Sequence, residues 1–150
     1  MALLISQQEV VNIAINEKNF DLSLITDADI EGAELIHLQP RIGQDLYKAL
    51  QEGKHPELLT KLRTPLAYFV KLVVLPAIAV KVANSGQMVG FNQHSNSASK
   101  AERLELREAT RKIAEAHLNK VLEYLVENRK NFPEFTPTGV SRGTYTDIIL

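Results

Sequence analysis

Apolar positions recur at three- and four-residue spacing in one segment after another, so the chain reads as helix following helix. Ser6 opens S-Q-Q-E. There Glu9 completes a capping box and Ile5 with Val10 makes a hydrophobic staple, which predicts a short helix to about Asn16. Thr26 repeats the device in T-D-A-D, with Asp29 in the reciprocal position and Ile25 and Ile30 as the staple. Asp27, Asp29 and Glu31 suit the positive end of that helix. It should carry Ile30, Ala33, Leu35, Ile36 and Leu38 until Pro40 removes a backbone donor and breaks or kinks it.

Beyond Pro40, Ile42, Leu46, Tyr47 and Leu50 share one face of a short amphipathic helix that ends at Gly53, a suitable C-terminal cap. His55-Pro56 then opens ELLTKLR. Thr64-Pro65 offers a cap followed by proline at a first helical position, which predicts the start of a central helix there. That helix is apolar on nearly every face through Val74, bends at Pro76, and ends near Ser85-Gly86. The stretch Gln87 to Ser97 reads as a loop, with Met88, Val89 and Phe91 embedded as apolar contacts that a plain linker would not need. Ser99 starts S-K-A-E, a further capping box through Glu102, and a helix should follow to about Asn128, roughly 45 Å at the usual rise. Its apolar stripe is Ala114, Leu118, Val121, Leu122 and Leu125. Its first half is mostly charged, as a helix projecting beyond its own core would be.

The fold class is therefore all-α: a helical domain over residues 1–130 with an extended C-terminal arm over 131–150. The arm holds two prolines and two glycines and has no helical period, and such a segment stays ordered only when something ties it down. Phe132, Phe135, Val140, Tyr145, Ile148, Ile149 and Leu150 are its apolar anchors, expected to lie on another subunit, with docking on its own domain as the alternative. The stretch near Thr144 has the composition to add a strand to a partner's edge.

Composition removes several function classes. At 150 residues and 45% hydrophobic the chain suits one domain with a core. Seventeen basic residues against eighteen acidic give no global bias toward nucleic acid or anionic lipid. The absence of cysteine excludes disulfides, thiol catalysis and Cys-based zinc sites. MALLISQQE has no basic region or apolar core of a secretory signal. Leu66 to Ala83 is apolar enough to raise a membrane span, but Lys71, Pro76 and Lys81 interrupt it, and a buried core helix is expected.

Catalytic and metal chemistry is thinly represented. Glu34 and His37 form an E-x-x-H, the spacing used in di-iron bundles, but Glu115 and His117 stand two apart and no full ligand set can be written. The plainer reading is a surface Glu34 beside a partly packed His37. His55, His94 and His117 have no nucleophile or orienting carboxylate nearby in sequence. Gly86 to Gly90 lacks the spacing of a phosphate cradle. No cofactor and no enzymatic activity are expected. Arg103, Arg107 and Arg111 line one side of the last helix, among Glu102, Glu105, Glu108 and Glu115. A solvated face, ion pairs to a neighbouring subunit and contact with DNA are three readings of that stripe.

The order of features resembles a known family. The run ITDADIEGAELIHLQPRIGQDLYKAL, then ELLTKLRTPLAYFVKLVVLPAIAVKVANSG, then a loop and a long charged helix ending in EYLVENRKNFPEF, is similar to the head–tail connector (adaptor) proteins of tailed bacteriophages, particularly the small forms in phages of Bacteroidetes. The resemblance covers about residues 20–130. It implies a small helical bundle that assembles as a homo-oligomeric ring, usually of twelve copies, beneath the portal protein. Such a ring extends the channel through which DNA passes and offers a surface to a tail-side ring or tail protein. It places the chain in the virion, at the head–tail junction, after assembly in the bacterial host cytoplasm. The loop with Met88, Val89 and Phe91 and the arm after Asn131 occupy the places where the family contacts neighbours. A cellular helical interaction or regulatory module, possible as a dimer, is the alternative from a different class.

Overall fold

A computed structural model describes residues 2–84 and 93–137, with side chains placed up to residue 78 and from residue 100. Among these residues every regular element is helical. Helix α1 (Gln7–Val10) begins at the Ser6 capping box and passes into a π-helical turn, Val11–Ile15, which ends at Asn16 in the left-handed conformation. A 3-10 turn at Leu22–Leu24 leads to α2 (Asp27–Ala33), where the Thr26 box is formed on both sides. These two starts match the sequence reading.

Pro40 does not end the second helix. A π turn, Glu34–Leu38, follows α2 and runs directly into α3 (Gln39–Ile42). In this wide turn the Gln39 N–H reaches the Glu34 carbonyl, five residues back. Pro40 thus enters the first turn of a new helical stretch, where an N–H is not required. The break comes instead at Gly43, with φ 93° and ψ 153°, from which α4 (Gln44–Gln51) departs. Leu46, Tyr47 and Leu50 face inward as their spacing requires, and Gly53, at φ 87°, closes the element.

The predicted start at Thr64-Pro65 is likewise overridden. Helix α5 runs without interruption over Pro56–Asn84, with Pro65 and Pro76 inside it and Pro56 in the first-position role. Leu58, Leu62, Leu66 and Phe69 form one buried stripe that passes straight across Pro65. Each such side chain contributes about 1.5–3 kcal/mol on burial, enough together to offset the bond that Pro65 forfeits.

Helix α6 (Gln93–Glu127) begins six residues before the Ser99 capping box, which therefore lies within the helix, and the expected loop is correspondingly shorter. Once a helix is nucleated, extending it through residues of middling propensity costs little. Met88, Val89 and Phe91 lie outside the described residues, as do Val140, Tyr145, Ile148, Ile149 and Leu150.

The architecture has two layers. Helices α5 and α6 form an antiparallel pair: Tyr68 stacks on His117 at 5.8 Å, and Lys61 sits 4.7 Å over the ring of Tyr124. The elements from α1 to α4 cover this pair, with α1, its π turn and α2 against α5. Ile25, Ile30, Leu38 and Ile42 from the first layer meet Leu62, Phe69, Leu118 and Leu125 from the second in a single core. No described helix is long and apolar enough to cross a membrane.

Candidate interaction surfaces

Among the described residues, a polar cluster in the interior is built around Glu34. Far from lying on the surface, its carboxylate is fully buried, accepting from the Leu4 N–H at 2.8 Å and from the Tyr47 hydroxyl at 2.7 Å. It ties the N-terminal segment to α4. Burial raises its pKa above the usual carboxylate range, while the bonds from Tyr47 and Leu4 work in the opposite direction. The Tyr47 phenol is itself pushed up by burial and by Glu34.

A carboxyl whose folded-state pKa is raised makes its best contribution below the ordinary carboxyl pKa, and loses it as pH rises through the raised value. Glu34→Gln is therefore expected to be at least as stable as the parent at pH 8, the advantage shrinking as pH falls toward 5. The glutamine oxygen can accept from Leu4, and its amide can donate to the Tyr47 oxygen. Glu34→Ala, by contrast, strands both buried donors, at about 1–3 kcal/mol for each. Urea unfolding of the three proteins across that pH range checks both statements.

His37 shares no ligand with Glu34. Its ring stacks on Phe69 at 4.3 Å, nearly parallel. Burial lowers its pKa, Glu115 opposes that, and Arg41 and Arg107 add to the lowering. Glu34 and His37 are thus held by different partners, and no group of three or more His, Asp or Glu able to hold a metal occurs among the described residues. On the same side, Arg41 bridges to Glu115 and Asn119, each at 3.1 Å, and so joins α3 to α6.

The start of the expected arm docks on its own domain. After a 3-10 turn at Arg129–Asn131, Phe132 and Phe135 are buried in the core, not extended toward a neighbour. Phe132 meets His55 at 4.8 Å and Tyr124 at 5.9 Å. His55 Nε2 lies 3.2 Å from Glu134 Oε1, and the Thr136 N–H donates to the Ile42 carbonyl at 3.2 Å. The segment is a strap over the α3–α4 junction, and the packed unit continues past residue 130. Glu134 has its pKa lowered, first by its own backbone N–H and then by His55.

The outward surfaces are unusual. Every residue from Lys100 to Ala109 is exposed. Among the described residues, the large apolar side chains left exposed are Leu104, Leu106 and Ile113 on α6 and Leu35 and Ile36 on the π turn. Ile36 and Leu104 reach 66% and 63% exposure. Leu35 and Ile36 had been expected to belong to an inward-facing helix. The widened turn shifts their phase, and Glu34 and Leu38 take the buried positions. Arg103 and Arg107 are exposed, and Arg111 is held by Glu108 one turn earlier. The seven-residue step from Leu106 to Ile113 is the sequence signal for this surface.

A separate cleft of 440 Å³ is lined by Leu3, Ile5, Glu9, Asp27, Leu59 and Arg63 among others. Its Arg63 Nε lies 3.2 Å from Glu9 Oε2, an ion pair by distance whose alignment falls short of a hydrogen bond, so this buried Nε has no hydrogen-bond partner among the described residues.

In comparison with known proteins, a family model described as a family of unknown function, DUF6712, matches residues 32–145, well over half of the chain. No curated protein and no solved structure matches. The matched span takes in the π turn, Gly43, both long helices and the strap.

Proposed function

The chain belongs to the DUF6712 family of unknown function, and we propose that it is a structural subunit: a head–tail connector of a tailed bacteriophage, assembled as a closed homo-oligomeric ring beneath the portal. One observation carries the reading. Three turns of α6, from Lys100 to Ala109, are exposed at every residue and still present Leu104 and Leu106 to solvent. A stretch of that length with no residue in the core is held mainly by continuity with the packed half of α6, and a partner covering Leu104 and Leu106 would add stabilisation that its own domain does not supply. The sequence resemblance over residues 20–130 supplies the class of partner. In this role the protein works by assembly: the bundle is the ring's repeating wall, one end meets the portal, the other meets a tail-side ring, and DNA passes through the channel without being read.

Native mass spectrometry and electron cryo-microscopy of the chain, alone and with the portal protein of the same particle, test the proposal. The expected result is a closed ring that binds the portal coaxially. A stable dimer indifferent to portal would overturn it in favour of a cellular interaction module, and a monomer under both conditions would overturn it outright.

A further inference from the structure

A ring subunit needs two different surfaces that fit each other, because its interface is head-to-tail and not self-complementary. Two candidates are on the molecule. Leu106, Ala109, Ile113 and Ala116 follow the three-four-three spacing of a coiled-coil seam, and all four are exposed. This seam is not the core stripe of α6. At 3.6 residues per turn it lies roughly 130° around the helix from the line of Ala114, Leu118 and Leu125. Leucine and isoleucine supply knobs, while the two alanines leave room for another helix to approach closely. The second candidate is Leu35 and Ile36, lifted outward by the π turn.

Position and charge favour pairing these two. Arg41 fastens α3 to the Glu115 and Asn119 side of α6, so the Leu35–Ile36 element lies on a different side of that helix from the seam. Two patches that point apart on one molecule can meet only between molecules. Exposed Lys112 and Lys120 border the seam around Ile113 and Ala116, whereas exposed Asp27 and Glu31 lie two turns and one turn before Leu35 respectively. Glu102 and Glu105 lie at one end of the seam, beyond Leu106, and exposed Glu123 and Glu127 follow Lys120 at the other, so the basic stretch is the middle one, around Ile113 and Ala116.

We infer that the outward seam of α6, centred on Ile113, docks on the Leu35–Ile36 patch of the next copy, with Lys112 and Lys120 facing its Asp27 and Glu31. The occupant is a second copy of this chain. The inference rests on the ring reading and adds to it the two surfaces and their pairing. It also gives Lys112 and Lys120, outside the arginine stripe, the role of setting which face of the neighbour is accepted.

The chain contains no cysteine, so disulfide trapping reads the contact directly. A protein carrying Ile36→Cys and Ile113→Cys together is expected to give a ladder of covalent oligomers under mild oxidation, ending at the ring. Each single variant alone should give none above background. In parallel, Lys112→Glu with Lys120→Glu is expected to lower assembly at least about tenfold, and Asp27→Lys with Glu31→Lys in the same chain should restore it. A ring that forms normally but gives no ladder would overturn this interface and leave the ring standing. Covalent dimers from Ile113→Cys alone would show a seam-to-seam twofold contact and overturn it in another way. A chain that stays monomeric both alone and with the portal protein would remove the ring reading and this interface together.

Discussion

Phe132→Ala is expected to destabilise the folded chain by about 3–5 kcal/mol, the range for deleting a large aromatic from a core that cannot collapse around the gap. Phe132 is 1% exposed. Its ring is fixed by His55 on one side and Tyr124 on the other, and these belong to the start of α5 and the end of α6. Neither helix can move inward without disturbing the Lys61–Tyr124 contact and the turn at His55, where φ is already 56°. The loss should appear as a lower urea midpoint with an unchanged slope. It should also free the strap, so that amide exchange at Thr136, which donates to Ile42, speeds up more than exchange within α4. A loss below about 1 kcal/mol would mean that Phe132 does not sit in this core.

The strap shows where a sequence reading reaches and where it stops. Ser6 with Glu9 and Thr26 with Asp29 are local devices whose partners stand three residues apart, and both are found as read. Ile42, Leu46, Tyr47 and Leu50 were equally legible, because periodicity states which residues share a face. What the face meets is a long-range fact. Phe132 and Phe135 are plainly anchors in the sequence, but nothing local tells an anchor for the chain's own core from one for a neighbour. Glu34 failed for the same reason. A charged residue in an exposed-looking register is fully buried, because the Leu4 N–H and the Tyr47 hydroxyl arrive from elsewhere to satisfy it. The prolines misled in a different way. Pro40 reads as a break by the donor it removes and Pro65 as a helix start by the first position it suits, whereas a π turn before one and an uninterrupted buried stripe across the other absorbed the cost.

The exposed surface was half legible. The charged first half of α6 announced a helix outside the core, and Arg103, Arg107 and Arg111 drew the eye to its polar side. Leu106 and Ile113 lie on another side. Their seven-residue interval is visible in the sequence, but only the core line through Ala114 and Leu118 shows that it points outward. Leu35 and Ile36 could not have been found from spacing, since the π turn that exposes them carries no sequence mark beyond a proline two residues after it.

Gly43→Ala, the addition of a single methyl group, is expected to cost about 3 kcal/mol or more. Two terms contribute. With φ 93° and ψ 153° the residue occupies a region open essentially to glycine alone, which costs an alanine about 1–3 kcal/mol. The added Cβ would also stand 2.1 Å from the Thr136 carbonyl oxygen and 2.6 Å from its carbon, both backbone atoms that cannot swing aside. The strap would have to lift, and the Thr136–Ile42 hydrogen bond, about 0.5–1.5 kcal/mol net, would go with it. The two terms separate cleanly. In a chain ending at Phe135, which keeps both buried phenylalanines and lacks Thr136, the same substitution should cost only the backbone strain. Thermal or urea unfolding of the four proteins forms a cycle whose coupling energy isolates the contact. Equal penalties in the long and short chains would show that the strap does not cross Gly43, and that the C-terminal segment leaves the bundle from some point other than the α3–α4 junction.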